Sequence, residues 1–220
     1  MKRANFPIDS LSLYLPLWHP ELNGSPFNSK DLTAYSCAVT GAVKGYYGRT
    51  FDGSDDLILV GNMGSWPSKG TIIHWVYSTS MDNYRNSFST NASAAGIRTG
   101  VHFEEDATGA FVADLADDAT SGLSHYYLAS GMTINTWYCV ALIWDSVANT
   151  VIGLLNDVQK FSEAHTLWAT TMPAVRVGVG YRLNAERSWK GIVGDVWMWS
   201  RALSLLEASH VYTTTKWRYS

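Results

Sequence analysis

Charge and cysteine are both scarce in this chain. Only 16% of its 220 residues are charged, and the net charge is −3. No basic cluster exceeds two residues, so nothing draws the chain to nucleic acid or to anionic lipid. No apolar run approaches the roughly 18 residues of a membrane span. Cys37 and Cys139 are too few for a disulfide framework and too far apart for a zinc pattern. Cys139 sits in the apolar run "TWYCVALIWD", where a free thiol acts as a small hydrophobe, and both thiols are expected to be reduced. The opening "MKRANFPIDSLSLYLPLWHP" has an apolar stretch broken by Ser and Pro and no small-residue cleavage site, so it is read as not a signal peptide. Helical periodicity, too, is nearly absent.

What is abundant is apolar and aromatic. Hydrophobic residues make up 46%, with 10 Trp and 12 Tyr, which is ample core for one domain and argues against disorder. Short apolar runs alternate with turn clusters, the spacing of an antiparallel sandwich. In "GIRTGVHFE", Ile97, Thr99, Val101 and Phe103 share one side, with Arg98, His102 and Glu104 on the other. "AVRVGVGY" likewise turns Val175, Val177, Val179 and Tyr181 inward. "TIIHWVY", "WYCVALIW" and "TVIGLL" are apolar on both faces, as strands covered on both sides should be. Two consecutive hairpins are read in "ALIWDSVANTVIGLLNDVQKF", turning at "DSVAN" and at Asn156-Asp157. Ser204 and Glu207 have capping-box spacing and open a short helix to about Tyr212. The expected fold is all-β: a single antiparallel β-sandwich with one short C-terminal helix. Residues 1–10 form an extension, 11–215 the domain and 216–220 a tail.

Three segments in order resemble the laminin-G-like, concanavalin-A-like jelly-roll family. They are "GRTFDGSDDLILV", then "TIIHWVYS" with "TWYCVALIWDSVANTVIGLLNDVQK", and last "WKGIVGDVWMWSRALSLLEASHVY". The resemblance implies a jelly roll. It leaves function open, because the family holds lectins, pentraxins, glycanases, polysaccharide lyases and adhesion modules. It also raises specific sites. A glucanase E-x-D-x-x-E pattern is approached in "FEEDATG" by Glu104 and Asp106, but its third position is Gly109, and the stretch reads as a solvated hairpin tip. "MDNYRN" at 81–86 has the D-x-Y-x-N spacing of legume-lectin metal sites, with Ser80 where those proteins carry Glu. The pentraxin disulfide and double-calcium site do not transfer.

Family members often hold one structural calcium through a carboxylate on the last long strand, which makes Asp195 in "GIVGDVW" a candidate ligand. A hydrogen-bond partner is the competing role. In "FDGSDDLI", Asp52-Gly53 reads as a bend and Asp56 as a second metal candidate. Sugar-binding proteins stack rings on apolar sugar faces, and Trp66, Tyr84, Trp168 and Trp189 all fall in expected loops, where they are candidates for carbohydrate binding.

No Ser/His/Asp, Cys/His or G-x-S-x-G arrangement is present, so the chain is read as not an enzyme. The expected role is a non-catalytic binding module resembling accessory proteins of phage virions, made in the host cytoplasm and carried on the virion surface as a capsid decoration. Its expected partners are a glycan or a capsid protein, and a homo-oligomer is compatible. The alternatives are a free-standing lectin exported by a non-classical route and a carbohydrate-active enzyme with an unrecognised site.

Overall fold

The computed structural model describes residues 6–81, 84–90, 100–106, 108–116, 123–172, 174–179 and 187–220. Among these the strands are β1 (Leu11–Pro16), β2 (Phe27–Asn28), β3 (Ser36–Thr40), β4 (Val43–Lys44), β5 (Arg49–Asp52), β6 (Leu57–Val60), β7 (Lys69–Ser78) and β8 (Arg85–Ser89). They continue with β9 (Gly100–Glu105), β10 (Phe111–Ala116), β11 (Leu123–Ala129), β12 (Trp137–Asp145), β13 (Thr150–Leu155), β14 (Val158–Ala164), β15 (Val175–Val177) and β16 (Lys190–Trp199). One helix, α1 (Leu205–Thr215), follows. It runs a few residues beyond the expected Tyr212.

Two eight-stranded antiparallel sheets face each other. One runs β14-β13-β12-β7-β16-β5-β4, with β1 also on β16; the other runs β11-β10-β9-β8-β15-β6-β3-β2. The main core lies between them, where Ile72, Val76, Leu142, Trp144 and Met198 meet Ile58, Phe88, Phe103, Phe111 and Val177. The first sheet is apolar on its outer face as well. Ile73, Trp75, Ala141, Ile143, Trp197 and Trp199 pack there under Ala208 and Val211 of α1, Leu203 and Tyr219. This second layer is why β7 and β12 read as continuous apolar runs. Both thiols are free and buried in this frame, and burial pushes Cys37 up to about 12.

The hairpin β12-β13-β14 turns where expected, with Asn156 and Asp157 at φ 49° and 69°. Val101 and Phe103 face the core as read. The opposite face of β9 does not meet solvent, however. His102 and Glu104 are buried, and Glu104 accepts hydrogen bonds from Asn86 Nδ2 at 2.9 Å and Arg187 Nη1 at 2.5 Å. The "FEEDATG" tip is a turn, as Asp106 Oδ1 accepts from the N–H groups of Thr108 and Ala110. Glu104 and Glu105 beside it are drawn into the sandwich, which corrects the reading of a solvated tip. Asp82 and Asn83 of "MDNYRN", and Ile97, Arg98, Thr99 and Tyr181, lie outside the described residues.

Residues near both ends of the described chain pack on the domain. Phe6 packs on Trp197 and Trp199, and Trp199 Nε1 donates to the Pro7 carbonyl at 2.6 Å. Residues 216–218 form a 3₁₀ turn after α1, and Tyr219 is buried against the first sheet.

The start of α1 carries the capping box that the sequence announced. The Ser204 side chain accepts from Glu207 N, and Glu207 Oε2 accepts from Ser204 N. Arg201 grips the same carboxylate at 3.1 and 2.6 Å, lowering its pKa to about 2 from the ordinary 4.5. A carboxylate depressed in the fold adds stability above its unfolded pKa and loses it as pH falls through the folded value. Thermal melts of wild type and Glu207→Gln should therefore differ by a constant amount above pH 5 or so and converge between about 4.5 and about 2. A difference independent of pH over that window would mean the Arg201–Glu207 pair contributes nothing.

Candidate functional site

Strand β16 changes neighbours halfway along. Lys190–Val193 pair with β5, whereas Asp195–Trp199 pair with β1, and the register against β7 slips between Val193 and Val196. Such a bulge re-aims a side chain, and here the re-aimed residue is Asp195, which is fully buried. Three side chains donate to it: Trp18 Nε1 to Oδ1 at 2.9 Å, and Arg218 Nη1 and Tyr219 Oη to Oδ2 at 2.7 and 2.9 Å. The Asp195 N–H in turn donates to Tyr219 Oη at 2.7 Å. Gly194 makes room for this, since a Cβ there would lie 2.5 Å from Tyr219 Oη. Burial pushes the Asp195 carboxyl above its usual range, while Arg218, Trp18 and Tyr219 pull it back.

A guanidinium therefore neutralises Asp195. A donor set of one carboxylate, an indole N–H, a phenol and a cation does not suit calcium, which takes six to eight oxygens. The calcium role considered for Asp195 is corrected to the competing one, an anchor for the C-terminal segment.

Around this anchor the aromatics converge. Arg218 Cζ lies 3.8 Å from the centroid of the Trp18 ring and 4.7 Å from that of Trp217, cation–π contacts to both. The Gly45–Gly48 hairpin, closed by Gly45 N to Gly48 O at 2.7 Å, presents Tyr46 and Tyr47 at its tip. Gly48 is required there, because a Cβ would come 2.1 Å from the Val193 carbonyl. Arg49, buried beneath, donates to the carbonyls of Ala42, Leu22 and Gly24, tying this hairpin to the turn that carries Pro20.

The result is a cavity of about 420 Å³ lined by Trp18, Pro20, Lys44, Tyr46, Tyr47, Trp217, Arg218 and Ser220. A second cavity of about 420 Å³ shares Trp217 and Ser220 and continues over Trp75, Trp137, Tyr212, Lys216 and Tyr219. Ring contacts run between the two, from Tyr47 to Trp137 at 6.2 Å and from Trp137 to Tyr219 at 4.6 Å. Tyr46 is 83% exposed, Trp217 67% and Tyr47 40%, so these rings face solvent rather than the core.

None of the four aromatics singled out from sequence lines this groove. Trp189 is fully buried, edge-on to Phe111, and Trp66 is buried in a stack on Trp144 at 4.8 Å. Those two are corrected to core residues, because their indoles pack on the core rings of Phe111 and Trp144. Trp168 is half-buried against His165. Tyr84 is exposed, with the Arg187 guanidinium 4.7 Å from its ring centroid. The groove residues were missed because even the first cavity draws on three segments far apart in the chain, around residues 18–20, 44–47 and 217–220. The sequence did offer one signal: in "GYYG" a glycine-flanked aromatic pair can only be a turn tip.

Asp52, Asp55 and Asp56 bring carboxylate oxygens within 4.8 Å of one another. Three carboxylates suit a calcium-like ion, and two of the three residues also bond within the bend. Asp56 Oδ2 accepts from Asp52 N at 2.8 Å, and Asp52 Oδ1 from Ser54 N at 2.7 Å. Burial raises the Asp56 pKa. The bonds of the turn give Asp52 and Asp56 a local role in the bend.

Two outcomes test these assignments. Asp195→Ala should cost about 3–5 kcal/mol by leaving Arg218 without its counter-charge, a drop of about 6–20 °C in melting temperature for a domain of this size. Trp217→Ala, at an exposed site, should stay within about 0.5 kcal/mol. Separately, EDTA should leave the melting temperature of the wild type unchanged. A saturable rise with calcium, lost in Asp56→Asn, would instead place an ion in the bend.

The sequence of residues 52–209 matches the profile of the concanavalin A-like lectin/glucanases superfamily, in its laminin-G form. No curated protein matches the chain in sequence. Among solved structures, the binding domain of botulinum neurotoxin serotype G is similar at a TM-score of 0.72 and 14% identity, over 94% of this chain and 51% of that one. The serotype D binding domain is similar at 0.71 and 14%, over 94% and 52%. The heptameric SAP-like pentraxin of Limulus polyphemus reaches 0.60 at 16%, over 76% and 81%. The chain thus spans about half the length of the toxin domains it matches. Profile, two-sheet order and β16 with its following helix agree: the chain belongs to the concanavalin A-like lectin/glucanases superfamily.

Proposed function

We propose that the chain is a non-catalytic binding module and that the aromatic groove at its C-terminal segment holds a saccharide. The observation that carries this reading is the convergence of Trp18, Tyr46, Tyr47 and Trp217 on one cavity with Lys44, Arg218 and Ser220 beside them. Flat rings stack on the apolar faces of sugars, and the interspersed polar groups bond the hydroxyls. The toxin neighbours are described as binding domains, which is in keeping with this role. Catalysis is not part of the proposal. Glycoside hydrolysis needs two carboxyl groups flanking the bond, and neither cavity of the groove is lined by an aspartate or glutamate.

A second reading is favoured by the same exposed Trp, Tyr and Arg, the residue types that anchor protein interfaces. In it the groove seats the module on a capsid protein at a virion surface, the setting expected from the sequence.

Trp217→Ala and Tyr46→Ala separate the two readings. On a glycan array followed by titration, each should weaken saccharide binding by about fivefold or more, since truncating an aromatic that anchors a ligand costs more than about 1 kcal/mol, with the melting temperature unchanged. No saccharide binding by the wild type, together with loss of particle incorporation in Trp217→Ala, would replace the saccharide reading by the interface.

A further inference from the structure

Trp217 stands between the two cavities rather than inside one. It lines both, while the other rings divide: Trp18, Tyr46 and Tyr47 in the first, Trp75, Trp137, Tyr212 and Tyr219 in the second. Its indole is held in place, with Nε1 donating to the Thr214 carbonyl at 3.0 Å. Arg218 lies against one face, its Cζ 4.7 Å from the ring centroid. Because Arg218 lines the first cavity and not the second, the covered face is turned to the first and the other is left to the second.

The two cavities differ in shape. In the first, Tyr46 and Tyr47 meet edge to face, their centroids 4.9 Å apart and their planes at 86°, which makes a corner. In the second, Tyr212 and Tyr219 lie nearly parallel to Trp75, at 16° and 25°, so its wall is built of stacked rings. Each cavity, at about 420 Å³, is by itself of small-ligand size. Charge does not tell them apart. One lysine lines each, Lys44 and Lys216, and Arg218 is neutralised by the buried Asp195. What a pair of such cavities can read is the reach of the ligand.

We infer that the groove takes a stretch of saccharide chain that spans both cavities, with one sugar ring in the tyrosine corner and another on the far side of Trp217, and so selects for chain length. This deepens the saccharide reading above and rests on it. A disaccharide fills one cavity and gains from one set of rings. In a longer chain the second contact forms within the same complex, at an effective concentration of about millimolar for a short link. The rings are already in place, so little ordering is lost when the second contact forms. A longer chain also offers more binding registers, but that gain does not depend on which rings are present.

The test is calorimetric titration of the full chain with cello-, chito-, xylo- and malto-oligosaccharides, each from the disaccharide to the octasaccharide. For a backbone that binds, the wild type should hold the hexasaccharide at least about tenfold more tightly than the disaccharide, the gain expected of a linked second contact. Trp217→Ala and Tyr46→Ala should each bring the hexasaccharide down toward the disaccharide and leave the disaccharide nearly as before, because one cavity still serves it. Equal wild-type affinity for the two lengths would overturn this inference and leave the saccharide reading standing with a single cavity in use. A length dependence that survives in both variants would overturn it too, by tracing the gain to registers or to another surface. So would loss of disaccharide binding in either variant at an unchanged melting temperature, which would make the two cavities one composite site. Binding of no saccharide, here or on the array, would overturn both readings.

Discussion

One buried carboxylate organises the surface on which this protein's function is proposed to depend. Asp195 sits at a bulge where β16 exchanges β5 for β1, and it gathers an indole from the end of β1 and a guanidinium and a phenol from the C-terminal segment. A charge taken out of water has to be compensated by partners of good geometry. Here the compensation comes from residues 18, 218 and 219, and meeting it ties the two ends of the domain together. The exposed rings of Trp217 and Tyr46 then form a groove because the frame behind them is rigid, not because they attract each other.

The second apolar layer serves the same end. Strands β7, β12 and β16 carry Trp75, Ile73, Ile143 and Trp197 on the face turned away from the main core. Left open, that face would be a large apolar patch, the kind of surface that draws partners or aggregates. Helix α1, Leu203 and Tyr219 cover it, and Tyr219 lies within 4.5 Å of the Trp75 ring centroid and 4.6 Å of that of Trp137. Coverage stops at Trp217, whose ring remains in solvent. The groove is the place where a covering element runs out while the aromatic surface continues.

Much of the fold was legible in the sequence. Period-two alternation gave the strands, double-sided apolar runs marked the sheet that is covered twice, and Asn156-Asp157 and the Ser204/Glu207 pair announced their turn and cap through local chemistry alone. Local signals succeed where the deciding partner is a few residues away. The site was far less legible. An aromatic in a loop can anchor packing or face a ligand, and Trp66 and Trp189 close the core, because the large area of an indole favours burial. The groove draws on residues 18, 46, 47 and 217, whose proximity no spacing rule conveys.

By itself the sequence determined the all-β architecture, the reduced state expected of its thiols, and the bend at Asp52-Gly53, since each follows from side-chain periodicity or from a residue's own backbone and hydrogen-bonding preferences. Only the tertiary structure decided what Asp195 does and which tryptophans face water. Those are properties of distance between residues far apart in the chain. They arise when strand register and a bulge place a carboxylate where burial forces it to find its partners.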